Sequence, residues 1–155
     1  MTTHAVERRH PPDALMRLVN PIIRRVVARG GAANQLLLLH YAGRRTGTRY
    51  DVPVGYHEID DEILLLTNSG WRHNFAGGAD IEVTFRGKRR RARAELVDDI
   101  DVVTDLYHSQ IQEMGVKAAQ RRLGIKVNVD RQPTREEIAE AVSRSGLSIV
   151  RLTLE

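Results

Sequence analysis

The chain has 155 residues, 41% of them hydrophobic and 28% charged, with a net charge of +4 and no cysteine. That is enough chain for one domain with a sizeable core, and too much apolar content for a disordered polymer. Disulfides and thiolate metal sites are excluded, and no apolar run approaches the ~20 residues that span a bilayer.

The opening residues, with His4, Glu7, Arg8, Arg9 and two prolines, hold no apolar signal-peptide core and read as a mobile polar arm over 1–12. A cytoplasmic protein is expected. Asp13–Arg29 reads as a helix. Leu15, Leu18, Val19, Ile22, Ile23, Val26 and Val27 fall on one stripe and Arg17, Arg24, Arg25 and Arg29 on the other side. Pro21 kinks it or restarts it, and Gly30-Gly31 ends it. Such a helix either lids a barrel or lies on an acidic membrane surface. Gln35–Ala42 is an apolar strand, buried on both faces if its leucines are read literally.

Thr48–Ile59 is a second strand, in which Pro53 implies an edge, a bulge or a strand start. Asp60-Asp61 is a turn pair and Glu62–Thr67 a third strand, so Tyr50–Thr67 is expected as a hairpin. A loop follows over Asn68–Gly78. Ala79–Arg86 and Arg89–Val97 alternate as half-buried strands around a turn at Gly87-Lys88. Asp98–Met114 reads as a helix with acidic residues in its first turn. Val116–Leu123 is a shorter one stopped by Gly124. Thr134-Arg135-Glu136-Glu137 is a capping-box pattern that starts a helix to about Ser145, and Leu147–Leu154 alternates as a last strand. Most strands precede the helices. That order favours an antiparallel barrel with helical additions over a doubly wound parallel sheet.

Two stretches carry chemistry. Gly43–Arg49 packs three arginines, threonine and two glycines between two strands. Glycines allow close backbone approach, turn N–H groups form an anion nest, and arginine forks match phosphate or carboxylate. The alternative is a solvated basic turn. In Asn68–Phe75, Trp71 beside Asn74 can flank a flat ring and hydrogen-bond its polar edge. Alternatively, Trp71 and Phe75 plug one barrel end while Asn74 caps a local turn.

The cationic run Arg86–Arg93 reads either as a phosphate-contacting surface or as a solvated strand face. Few aromatics accompany it, so no nucleic-acid partner is expected. The histidines show no metal-ligand spacing, and no metal is expected. Nucleophile-elbow, Walker and dinucleotide-binding motifs are all lacking.

From Leu36 to about Val97 these residues resemble the deazaflavin-dependent nitroreductase family. It belongs to the split β-barrel superfamily of flavin and deazaflavin (coenzyme F-420) oxidoreductases. Gly43-Arg44-Arg45-Thr46-Gly47 looks like the family's basic glycine turn, Val52-Pro53-Val54 like its strand proline, and Trp71-x-x-Asn74-Phe75 like its tryptophan–asparagine motif. The glycine-rich loop that precedes the tryptophan in the family is shorter here, Ser69-Gly70 running straight into Trp71.

The resemblance implies a mainly β, α+β fold in one domain over 1–155. This would be an antiparallel split β-barrel of the FMN-binding, pyridoxamine-phosphate-oxidase-like type, with an N-terminal helix and a C-terminal helical insertion. It implies that Arg44, Arg45 and Thr46, with Gly47 and Arg49 in the same turn, meet the phosphate and acidic tail of a cofactor. Backbone around Val52, Pro53 and Val54 would line the ring, and Ser69, Trp71 and Asn74 would flank the pocket. The implied cofactor is coenzyme F-420, with FMN as the lesser alternative. The implied reaction is hydride transfer to a small electron-poor acceptor of quinone, nitroaromatic or enone type. The alternative is a non-catalytic module for a flavin-like or lipid-like anionic ligand. No catalytic residue is assigned. A monomer or homodimer is expected, with peripheral membrane contact open through the 13–29 helix.

Overall fold

A computed structural model of the protein describes residues 4–8 and 36–155. The helix expected over Asp13–Arg29 lies outside the described residues. In chain order the elements are β1 (Val6–Arg8), β2 (Leu36–Ala42), β3 (Arg49–Gly55), β4 (His57–Ile59), β5 (Glu62–Thr67), a 3-10 helix (Gly70–Phe75), β6 (Ala79–Phe85) and β7 (Lys88–Val97). There follow α1 (Ile100–Met114), α2 (Val116–Leu123), β8 (Ile125–Val127), α3 (Arg135–Ser145) and β9 (Ser148–Leu154). They gather into two compact units, one of residues 36–96 and 150–155, the other of residues 4–8 and 97–149.

The first unit is built on a seven-stranded sheet in the order β3-β2-β6-β7-β9-β5-β4. The pairs β2–β3, β2–β6, β6–β7 and β4–β5 are all antiparallel. Its two edges, β3 and β4, are separated in the chain by Tyr56 alone. One residue spans only a few ångströms, so the sheet curls until its edges meet. That is the split β-barrel. Tyr50–Thr67 is therefore not one hairpin. Only β4 and β5 form one, across Asp60-Asp61, whose φ values of 51° and 65° suit a tight two-residue turn. β3 pairs with β2 instead, across the Gly43–Thr48 loop. Pro53 sits on an edge strand, where its missing donor costs no ladder bond.

The barrel interior follows the two-residue period of the strands. Leu37, Leu39 and Tyr41, then Ile81, Val83 and Phe85, then Ala92 and Ala94, all face one core with Val54, Phe75, Val150 and Leu152. Leu38, on the other face of β2, is also buried. The continuous leucine run therefore means burial on both sides.

The second unit packs α1 against α3 and α2 against β8. The α1 stripe Val103, Tyr107 and Ile111 is buried, as are Ile138, Ala141 and Val142 of α3. Residues 6–8 are not an arm: β1 pairs with β8, Val6 is buried, and Arg8 Nη1 donates to the carbonyls of Leu123 and Gly124. Three-residue strands carry too short a pattern to be visible in sequence. The glycines that stop α2 and α3 act as the sequence directs: Gly124 and Gly146 are left-handed, at φ 66° and 68°.

Candidate functional site

The β2–β3 hairpin loop and the 3-10 helix meet at one end of the sheet. The loop is closed by its own backbone: Gly43 N–H donates to Thr48 O at 2.7 Å and Gly47 N–H to Gly43 O at 2.9 Å. Gly47 takes φ +71°, a left-handed conformation that favours glycine. The Thr46 hydroxyl donates to Thr48 Oγ1 at 2.9 Å and accepts the Thr48 N–H at 3.2 Å.

Phe75 anchors the 3-10 helix. It is 1% exposed and lies edge-on to Tyr41 and Trp71 at 5.4 and 6.0 Å. Burying a ring of this size contributes roughly 1.5–3 kcal/mol. Asn74 then ties the two segments together. Its Oδ1 accepts the Arg44 backbone N–H at 2.8 Å, and its Nδ2 donates to Trp71 O at 2.9 Å. Arg44 Nη1 donates to His73 O at 3.2 Å. Arg72 folds back onto the carbonyls of Asn68 and Ser69 at 2.7 and 2.9 Å, stiffening the shortened loop. The packing reading holds for Phe75, and Asn74 caps the local turn through Trp71 O. Phe75 is the plug, whereas Trp71 is only half-buried and faces a cleft.

That cleft measures about 870 Å³ and is lined by Tyr41, Gly43, Arg44, Arg45, Thr46, Tyr50, Gly70, Trp71, His73 and Asn74. Five residues singled out in sequence come together on it: Arg44, Arg45, Thr46, Trp71 and Asn74. Among the described residues neither Arg44 nor Arg45 meets a carboxylate. Their charges are therefore directed to solvent and cleft.

The other arginine cluster behaves differently. Arg86 pairs with Glu58 at 2.7 Å, Arg89 with Glu82, and Arg93 with Asp80 at 3.2 Å. Arg90 Nη2 donates to Glu155 O at 2.8 Å. Arg89 holds the Glu82 carboxyl below its ordinary range through its hydrogen bond and charge. Three of the six cationic side chains in Arg86–Arg93 are thus paired with carboxylates.

The remaining predicted residues lie elsewhere. Gly47 shapes the turn without lining the cleft, and Ser69 precedes Gly70 and accepts from Arg72. Val52 and Val54 share the core-facing side of β3, and Pro53 pairs with Leu38. Arg49 is opposite Ala42. It is one residue away from Tyr50 and so on the other face of the strand, since a single step flips a side chain. There it lines a second, smaller cleft of about 430 Å³ with His40, Glu82, Arg89 and Arg91 among others. His40 bridges that face, with Nδ1 2.6 Å from Asp51 Oδ1 and Nε2 2.7 Å from Thr84 Oγ1.

Sequence reasoning missed Tyr41 and Tyr50 as cleft residues, and held Gly43, Gly70 and His73 only as members of its two stretches, without a site role for Gly70 or His73. The available signal was the hairpin register: Tyr41 and Tyr50 flank the basic turn and pair directly across it, rings 5.5 Å apart. Burial and then the neighbouring Tyr50 push the Tyr41 phenol above its usual value, so it stays protonated and able to donate.

A family model described as F420H(2)-dependent quinone reductase matches residues 15–132. No curated protein matches the chain. Among solved structures, the chain is similar to the conserved hypothetical protein Rv2991 of Mycobacterium tuberculosis. Identity is 15%, covering 99% of this chain and 86% of that one, with a TM-score of 0.45. It is also similar to the FAD and heme binding protein of Mycobacterium smegmatis, at 17% identity over 85% of this chain and 66% of that one, again with a TM-score of 0.45. At these scores the fold assignment rests on the strand order itself.

Proposed function

The chain belongs to the F420H(2)-dependent quinone reductase family, and on that premise we propose that it passes a hydride from reduced coenzyme F-420 to a small quinone-like or nitroaromatic acceptor. The observation that carries the reading is the convergence of Arg44, Arg45, Thr46, Trp71 and Asn74 on one cleft, with both guanidinium groups free of carboxylates among the described residues. Two such forks beside a glycine turn suit a phosphate and a carboxylate tail. Open backbone beside the turn supports the same reading. Gly70 lines the cleft, and a Cβ added there meets nothing within 4 Å, so bare backbone faces the space a ligand would take.

When bound, the reduced deazaflavin supplies the hydride. The chain's own part is to bind and to orient. Arg44 and Arg45 hold the anionic end, and Thr46 adds a hydroxyl donor. Asn74 spends its side-chain groups on Arg44 N–H and Trp71 O, so it fixes the relative position of turn and tryptophan. Trp71 and the tyrosine pair exclude water from one side, and holding two flat reactants in register supplies much of the acceleration. None of the helices among the described residues is long and apolar enough to cross a membrane.

The direct test is to follow oxidation of F-420H2 by its absorbance, with a panel of quinones, nitroaromatics and enones. Enzyme-dependent oxidation with at least one quinone-type acceptor is expected. Tight F-420 binding with no turnover on any acceptor would favour a non-catalytic binding module. Failure to bind either F-420 or FMN would remove both readings.

A further inference from the structure

On the cleft, Tyr50 and Tyr41 are asked in the reading above only to exclude water. Tyr50 is 45% exposed, one of three large hydrophobic residues so exposed among the described residues. It stands on the cleft immediately beside the arginine turn. Its position is built. Tyr41 backs it across the strand pair, rings 5.5 Å apart and tilted by 32°, and Tyr41 is itself held edge-on by the buried Phe75. Gly43 makes room for it: a Cβ there would stand 3.1 Å from Tyr50 Cε2. An exposed aromatic with a rigid aromatic backing and a glycine cut away for it is a stacking surface, not a packing residue.

The strand segment expected to carry a ring does not line this cleft. Val52 packs against the barrel core and Val54 is part of it. On β3 only Tyr50, two residues before Val52, keeps that face of the strand and reaches the cleft. We infer that Tyr50, backed by Tyr41, is the positioning residue on which the flat conjugated ring of an anionic-tailed ligand stacks, with its tail on Arg44 and Arg45. The inference rests on the functional reading above and adds to it the wall that holds the ring. An electron-rich phenol facing an electron-poor conjugated ring favours offset stacking, and it also quenches the fluorescence of the stacked ring.

The experiment is a fluorescence titration of oxidised F-420 with the wild type, Tyr50→Ala, Tyr50→Phe and Gly43→Ala, each first checked by thermal melting. Tyr50→Ala is expected to weaken binding about tenfold, the scale of losing one ring-on-ring contact, and to leave the bound ring brighter than in the wild type. Tyr50→Phe should bind within about twofold of the wild type, because the ring face remains. Gly43→Ala, which crowds the edge of the Tyr50 ring, should weaken binding less than Tyr50→Ala does. If Tyr50→Ala binds F-420 as tightly as the wild type with the same fluorescence, the inference falls while the functional reading stands. If the wild type itself binds neither F-420 nor FMN, the functional reading falls and takes the inference with it. Should Tyr50→Ala not fold, Tyr50→Leu decides, since it keeps bulk and removes the ring face: a Tyr50→Leu protein that binds and quenches like the wild type would overturn the inference.

Discussion

Gly70 lines the cleft with no left-handed φ, and a methyl group added to its Cα would meet nothing within 4 Å, so neither backbone nor packing requires glycine there. Gly47 differs: φ +71° holds it in the left-handed region. The two glycines should therefore separate under mutation. Gly47→Ala is expected to cost roughly 1 kcal/mol of stability, read by chemical denaturation. Gly70→Ala should leave stability within about 0.5 kcal/mol of the wild type and weaken F-420 binding. Unchanged binding would show that the bare backbone at Gly70 is not approached by ligand.

In the second unit, the buried Tyr107 hydroxyl has no hydrogen-bond partner among the described residues, and burial pushes its pKa up to about 12, with the Arg8 charge opposing. An orphaned buried hydroxyl is a cost. Tyr107→Phe should leave stability unchanged or raise it by roughly 1 kcal/mol. A clear loss in melting temperature would mean that the hydroxyl does have a partner.

At the scale of elements, the capping box of α3 offers the cleanest test. The Thr134 hydroxyl accepts the Glu137 N–H at 3.2 Å, and Glu137 accepts the Thr134 N–H at 2.9 Å. Thr134→Ala is expected to cost roughly 1 kcal/mol, measured by denaturant unfolding. The hydrogen bond from Arg131, then that from Thr134, lower the Glu137 pKa from 4.5 to about 2. The sign follows from proton binding. Between these values the unfolded chain binds more protons, so this carboxylate's contribution is complete above pH 4.5 and is lost as pH falls toward 2. Glu137→Gln should flatten that part of the stability profile. A wild-type slope surviving the substitution would assign the acid loss to other carboxylates.

This box was legible in sequence because all its parts lie within four residues. So were the glycine helix stops and the two-residue alternation of β6 and β7. What sequence concealed was long-range. β1 and β8 each have three residues, too few to show a period, and pair across more than a hundred positions. The partner of β3 was concealed as well, since strands precede and follow it in the chain.

For the molecule as a whole, the arrangement of the strands explains why the site is where it is. Curling the sheet until β3 and β4 become neighbouring edges leaves the β2–β3 turn at an open end, where the 3-10 helix can dock on it through Asn74. The basic turn and the tryptophan loop were both visible as motifs. Their meeting was not, because it depends on a hydrogen bond between residues thirty positions apart. Arg49 shows the same limit from the other side: in sequence it belongs to the turn, yet strand pleating sends it to the opposite face. The charge distribution completes the picture. Arg86, Arg89 and Arg93 are answered by Glu58, Glu82 and Asp80, whereas Arg44 and Arg45 meet no carboxylate among the described residues.

The most direct measurement is an equilibrium titration of oxidised F-420 against the wild type and the Arg44→Ala/Arg45→Ala double variant at low and moderate ionic strength. The account predicts wild-type binding that weakens with salt and a loss of about a hundredfold in the double variant, the scale of two charge-assisted contacts. Equal affinity of the two proteins, at either salt concentration, would contradict it.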